Sequence, residues 1–412
     1  MRILHVTPHL GGGVGKAHAA LSAVLPDIVQ QTFVLLEAPR ERRYIDLIET
    51  NGARVLIGEN LAHVAALARE SDVVQFEFWN HPRMFECLAR TGFPAMRSVF
   101  WSHISGLARP VIQPALMAEA SRFVFTTEAS LGSASVAALR RKTYKKVSVI
   151  NSGFGFANAR PRIARGRAPG VAYLGTVDFA KMHAGFFDAI DALGDDGVRV
   201  AVWGEFDLAG TVAARANAMR YPGRVEFMGR TSDPMAALAN ADIFFYPLQR
   251  DHYGTAENAL VEAMSLGLVP LVLDNPAESA IVKDGRTGFV ASSIEEIGSL
   301  LEMLLLLPDV RERLSRNAIA AVAETRTPAI TAQEFMILWL GMLAQPTRVH
   351  DFAGAIGSTP AEWFLSTQRL AGKSWTPHES DVAERPAKGT LAHFENAFAG
   401  DDSFAHLKRA GA

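Results

Sequence analysis

Short runs of apolar, β-branched and aromatic residues alternate along the chain with longer segments of mixed polarity. Ile3 to Thr7, Thr32 to Leu36, Arg54 to Ile57, Val73 to Phe78, Ser98 to Trp101, Phe123 to Thr126 and Val147 to Ile150 have the length and composition of strands. Most are separated by stretches of helical length. Apolar runs suited to burial on both faces, with helices between them, predict a parallel sheet covered on each side. A charged, Pro- and Gly-bearing stretch from Asn158 to Gly170 then interrupts the pattern and reads as an interdomain linker. The alternation resumes with Val171 to Leu174, Arg199 to Trp203, Val225 to Phe227, Ile243 to Tyr246 and Val269 to Leu273. The expectation is an α/β protein of two doubly wound domains, residues 1–160 and 171–328, with a helical C-terminal extension over 329–412. In that extension, helices near Ile330 to Leu343 and Thr390 to Phe398 sit among Pro346, Pro360, Pro377 and Pro386, and the sequence assigns them no chemistry.

Composition narrows the function classes. A length of 412 residues suits two to three domains, and 49% hydrophobic content supports sizeable cores. Lysine and arginine total 41 against 43 acidic residues, so the cationic excess of a protein that grips nucleic acid through phosphates is missing. No nucleic-acid partner is expected. The single cysteine, Cys87, excludes an intramolecular disulfide and a multi-cysteine metal site, which points to the cytoplasm. No run approaches the ~20 apolar residues of a spanning helix, and no export signal is read at the N-terminus. The basic run Arg140 to Lys146 reads as a solvated helix end, with attraction to an anionic membrane surface as the lesser alternative. At most peripheral membrane contact is therefore expected. There is no Asp-x-Asp, His-Glu-x-x-His or Gly-x-Ser-x-Gly, so neither a metal nor a serine-hydrolase site is expected.

Two segments carry candidate chemistry. The first strand leads into Gly11-Gly12-Gly13-Val14-Gly15-Lys16, ahead of a helical stretch. Glycines allow backbone amides to approach a ligand, and a following helix directs positive charge at an anion or sugar hydroxyl. Leu10 and Ala17 break a Walker A match and Lys16 breaks a dinucleotide fingerprint, so a tight strand-to-helix turn is the simpler alternative. The second segment, Thr255 to Met264, reads as a helix N-terminus with Thr255 as cap. Thr255, Asn258 and Glu262 fall on one helix face, and Leu260, Ala263 and Met264 turn elsewhere. Phosphate suits the start of that stripe, and a carboxylate two turns in suits the vicinal hydroxyls of a ribose. Taken alone, Glu262 reads first as a solvated carboxylate, as most single carboxylates are.

Four blocks occur in order: Val225-Glu226-Phe227-Met228-Gly229, Ala241 to Pro247, Asn258 to Gly267, and Ile281 to Gly288. With them the chain resembles nucleotide-sugar-dependent glycosyltransferases of the GT-B fold, and is most similar to glycosyltransferase family 4, the glycosyl transferases group 1. The resemblance covers about Met1 to Pro328 and is strongest from Val225 to Val290. It implies two Rossmann-like domains facing across a cleft, with donor nucleotide held by the second and acceptor approaching from the first. It implies that Glu262 binds the donor ribose, that Thr255, Ala256, Glu257 and Asn258 hold the diphosphate, and that Lys181 supplies a cation to it. It also implies that Gly11, Gly12 and Gly13 form a sugar or phosphate loop and that His103 contacts the transferred sugar as the catalytic residue. Two departures stand out: Thr176 replaces an arginine, and Gly254 replaces a glutamate eight positions before Glu262. The implied reaction, of the kind found in polysaccharide biosynthesis, moves a hexosyl unit from a nucleoside diphosphate sugar to a glycan or lipid-linked acceptor, with retention, without metal, and with no cofactor beyond the co-substrate. A GT-B nucleotide-sugar epimerase and a catalytically silent GT-B scaffold are the alternatives.

Overall fold

The computed structural model describes residues 1–153, 170–194, 197–255, 257–368, 389–405 and 407. Linker residues 158–169, Ala256, Pro377 and Pro386 lie outside them. The chain forms two compact units, Met1–Asn151 with Pro328–Ala412, and Ser152–Thr327.

The first unit is built on a sheet of seven strands: β1 (Arg2–Thr7), β2 (Gln30–Leu35), β3 (Arg54–Ile57), β4 (Val73–Phe78), β5 (Ser98–Ser102), β6 (Arg122–Phe125) and β7 (Val147–Val149). Their order is β3-β2-β1-β4-β5-β6-β7, every pair parallel. The second unit carries β8 (Val171–Leu174), β9 (Val200–Trp203), β10 (Val225–Gly229), β11 (Ile243–Tyr246), β12 (Val269–Leu273) and β13 (Phe289–Ala291). Its order, β10-β9-β8-β11-β12-β13, repeats the same winding, again all parallel. In each sheet the direction of winding reverses between the first and fourth strands. Ligands of open α/β sheets bind outside the carboxyl ends of the strands at such a point.

Twelve strands coincide with the apolar runs read from sequence, with ends shifted by up to two residues. β13 is not among those runs; it enters past Gly288, where a Cβ would lie 2.5 Å from the Pro270 carbonyl oxygen. Burial on both faces explains why β4 and β5 are wholly buried. Phe76, Phe100 and Phe123 stack across β4, β5 and β6 at centroid separations of 4.8 and 5.7 Å. Each such ring stabilises the unit by about 1.5–3 kcal/mol through burial.

The segment from Pro328 onward is packed into the first unit. Helix Pro328–Leu343 buries Phe335 against Trp101, with centroids 4.8 Å apart, and Thr331 Oγ1 donates to the Asn151 carbonyl at 2.9 Å. Farther on, Asn80 Nδ2 donates to the Gly389 carbonyl at 3.2 Å and Arg83 to that of Ala397 at 3.1 Å, tying helix Leu391–Ala397 to the end of β4. No described helix is long and apolar enough to cross a membrane.

Candidate functional site

In the first unit a polar cluster grows from the sheet at its switch point. His5 of β1 is registered with Phe33 of β2 and Gln75 of β4, and Glu77 with Trp101 of β5. Registered residues share a sheet face. Helix Gly12–Ser22 brings His18 to that face, and helix Pro328–Leu343 brings Trp339. The wholly buried Glu77 carboxylate lies at the centre. Its Oε1 meets His5 Nδ1 and the Gln75 amide, each at 3.0 Å; its Oε2 meets His103 Nε2 at 3.0 Å. His18 Nε2 is also 3.0 Å from Oε2, but off the hydrogen-bond axis, a close contact rather than a directed bond.

The direction of these bonds follows from their outer ends. An indole N–H can only donate. Trp339 Nε1 donates to Gln75 Oε1 at 2.9 Å, which turns the Gln75 amide nitrogen toward Glu77. Gln31 Nε2 lies 3.0 Å from His5 Nε2, so the His5 proton is on Nδ1, facing the carboxylate. Burial alone would raise Glu77; the close approach of His18 and the hydrogen bonds with His103 and His5 reverse this and hold it well below the usual carboxylate range. Burial lowers His103 and pushes His5 down to about 4, so both imidazoles are neutral at neutral pH.

Beside this cluster the glycine segment is more helical than the sequence suggested. The helix begins at Gly12, with Gly11 preceding it in extended conformation. Gly12 has φ +60°, and a Cβ on Gly15 would lie 1.9 Å from the Leu10 carbonyl oxygen, so the strand-to-helix junction requires glycine at both. The same edge carries His9, Glu37 and His81. Their ligand-type atoms lie within 4.8 Å of one another, as do those of His5, His18 and Glu77. In the second group, His5 Nδ1 points its proton at Glu77. In the first, Nδ1 of His9 accepts from the Gly11 amide at 3.1 Å and Nδ1 of His81 from the Arg83 amide at 3.3 Å. A neutral ring with Nδ1 accepting keeps its proton on Nε2, and His81 Nε2 faces Glu37 Oε1 at 3.4 Å. In His81 and His5 the nitrogen facing the carboxylate thus carries the proton, whereas both ring nitrogens of the buried His18 lack a hydrogen-bond partner among the described residues. Cys87 is buried and its thiol is pushed up to about 12 by burial, an inert state.

In the second unit, the segment after β8 runs beside the end of β11. The Lys181 carbonyl accepts from the Gln249 amide at 2.8 Å, and the His183 amide donates to the Pro247 carbonyl at 3.0 Å. This places Lys181 at the switch point, its Nζ 5.9 Å from the centroid of the Tyr246 ring. Burial alone would lower the ammonium, but interactions with Tyr246, Tyr253 and Glu278 outweigh it and leave Lys181 raised, hence charged. Helix Glu257–Ser265 follows β11. Thr255 stands two residues ahead of it, Asn258 lies in its first turn, and Glu262 is buried two turns in, 4% exposed. Next to Gly254, whose amide donates to His252 Nδ1 at 3.1 Å, the buried pair His252 Nε2 and Glu278 Oε1 stands 2.8 Å apart.

The structure therefore places Gly11 to Gly13 after β1 and His103 after β5 in the first unit, and Lys181 after β8 with Thr255, Glu257, Asn258 and Glu262 after β11 in the second. Glu77, with His5, His18, Gln31, Gln75 and Trp339, was not singled out from sequence. The available signal was polar residues at alternate positions, Gln75 and Glu77, inside an otherwise apolar strand. The His252–Glu278 pair was likewise missed; it joins a loop to the short helix Pro276–Ser279 and has no local spacing.

The two units define a GT-B architecture: paired parallel Rossmann-like sheets of identical winding. Residues 158–321 match the family model of glycosyl transferases group 1. The chain accordingly has the GT-B fold, and its second unit carries a glycosyl transferases group 1 domain. Among solved structures, Anabaena HepE in complex with UDP is similar at 16% identity, with a TM-score of 0.67 over 83% of this chain and 100% of that one. A glycosyltransferase from Rickettsia africae has 12% identity and a TM-score of 0.66, covering 84% of this chain and 99% of that one. The sucrose-phosphate synthase of Thermosynechococcus elongatus has 14% identity and a TM-score of 0.61, with coverages of 84% and 99%. At these identities the likeness speaks to the fold. A search of curated proteins finds no match.

Proposed function

We propose that the chain moves a glycosyl unit from a nucleoside diphosphate sugar to a hydroxyl of a glycan or lipid-linked acceptor, with retention and without a metal. The observation that carries this reading is the charged Lys181 at the β8/β11 switch point, on the domain whose following helix holds a buried Glu262. Lys181 and the amides at the start of helix Glu257–Ser265 meet the diphosphate, and Glu262 accepts from the ribose hydroxyls. His103 contacts the sugar being moved, and the Gly11 to Gly13 segment lies on the acceptor side. The bond from the anomeric carbon to the phosphate oxygen breaks, a bond to the acceptor oxygen forms on the same face, and the acceptor proton passes to the departing phosphate oxygen. Preorganised cations and amides stabilise the leaving charge. Gly254 leaves the sugar without the glutamate found in similar enzymes, so donor choice is set by other groups.

The complex of HepE with UDP-glucose makes uridine nucleotides the first donors to try. Lys181→Ala should weaken UDP binding by about tenfold or more while changing uridine binding by less than about twofold, measured by calorimetry. Equal losses for both ligands contradict the phosphate role. Product analysis separates transfer from epimerisation: an epimerised free nucleotide sugar with no glycosylated acceptor refutes the proposed reaction.

A further inference from the structure

We infer that Glu77 is a positioning residue for transfer: it holds the His103 proton on Nε2, so that the Nδ1 lone pair is left to accept a hydrogen bond from a hydroxyl of the sugar being moved. This rests on the reading of His103 as a sugar contact and says how that contact is polarised.

The polarity of the cluster is set from helix Pro328–Leu343 inward. The Trp339 indole, able only to donate, fixes the Gln75 amide; Gln75 and His5 both then donate to Oε1 of Glu77. The remaining oxygen, Oε2, faces His103 Nε2 at 3.0 Å, and an ionised carboxylate can only accept. His103 must therefore present an N–H there, and a neutral ring has its lone pair on Nδ1. The ring cannot turn to exchange its nitrogens without breaking its cage. The His103 amide donates to the Phe78 carbonyl at 2.8 Å, and Trp101 and Trp79 flank the imidazole at 4.7 and 6.1 Å. Trp101 is itself fixed by donation to the Ile150 carbonyl at 3.0 Å. The His103 side chain is 10% exposed, whereas Glu77, His5 and His18 are 0% exposed. Among the described residues, Nδ1 of His103 has no hydrogen-bond partner. Among the described residues, the buried carboxylate thus reaches the surface of the unit through this one ring, as an oriented acceptor.

Glu77→Gln separates this role from simple packing. Its amide oxygen must stay with the two fixed donors at Oε1, which puts its NH2 where Oε2 faces His103. His103 Nε2 then becomes the acceptor, and its proton moves to Nδ1. The full-length protein with 15N-labelled histidine should show His103, assigned by the signals lost in His103→Asn, as the Nε2–H tautomer at neutral pH in long-range 1H–15N spectra. Glu77→Gln should convert it to the Nδ1–H tautomer and lower kcat for UDP-sugar transfer by about tenfold to a hundredfold, with donor KM within about threefold and UDP affinity unchanged. A wild-type His103 protonated on Nδ1, or a folded Glu77→Gln enzyme with unaltered kcat, overturns the inference. Should Glu77→Gln fail to fold, the wild-type spectrum decides alone. A wild-type protein that binds no nucleoside diphosphate removes the donor reading and the inference with it, and calorimetry makes that failure distinguishable from a wrong tautomer.

Discussion

Glu77→Ala is expected to lower the free energy of unfolding of the first unit by about 3–5 kcal/mol, the cost of taking one partner from a buried charged network. His5 Nδ1, the Gln75 amide and His103 Nε2 would all lose their acceptor inside a sheet face that water does not reach. Denaturant unfolding of wild type and variant at pH 7 measures it, and a loss below about 1 kcal/mol would mean that the network relaxes around the gap. The wild-type protein should show a related pH dependence. His5 has a folded-state pKa of about 4 against an ordinary 6.5, with burial as the main cause. Between these values the unfolded chain binds a proton that the folded chain refuses, so stability is full above pH 6.5 and falls as the pH drops toward 4. The loss is about 3 kcal/mol over that window. Glu77, held below the ordinary 4.5, adds a further loss of the same sign below that pH. A stability that stays flat from pH 7 to 4.5 contradicts the neutral, buried assignment of His5.

Glu262→Ala should weaken nucleoside diphosphate sugar binding by about 1.5–3 kcal/mol, roughly tenfold to a hundredfold, if its carboxylate accepts from both ribose hydroxyls. Burial at 4% exposure raises the stakes, because a desolvated carboxylate gains most from directed donors and water cannot readily substitute for them. Donor analogues lacking the ribose hydroxyls provide the control. Wild type should lose affinity for them, and Glu262→Ala should bind them and the natural donor alike. Unchanged affinity in the variant would leave Glu262 as a packed side chain with no role toward the nucleotide.

Most of the fold was legible because parallel strands buried on both faces announce themselves as unbroken apolar runs. β13, Phe289–Ala291, is the strand not read from the sequence. The donor-side residues were legible because they are local: Thr255, Asn258 and Glu262 share one helical repeat. The Glu77 cluster was not, since its members come from β1, β2, β4, the segment after β5 and two helices hundreds of residues apart, and only tertiary register unites them. The glycine segment was read as a loop before a helix at Ala17. The early start at Gly12 follows from how closely Gly15 passes the Leu10 carbonyl, a contact invisible in one dimension.

The first unit is discontinuous, with Ser152–Thr327 interposed between its two pieces. During synthesis the ribosome therefore finishes the whole intervening body before it releases the indole of Trp339. Until then Gln75 lacks the partner that sets its orientation, so a nascent N-terminal sheet can assemble its strands yet leave its charged centre unaligned. Alignment of that centre therefore waits until the interposed unit has been synthesised.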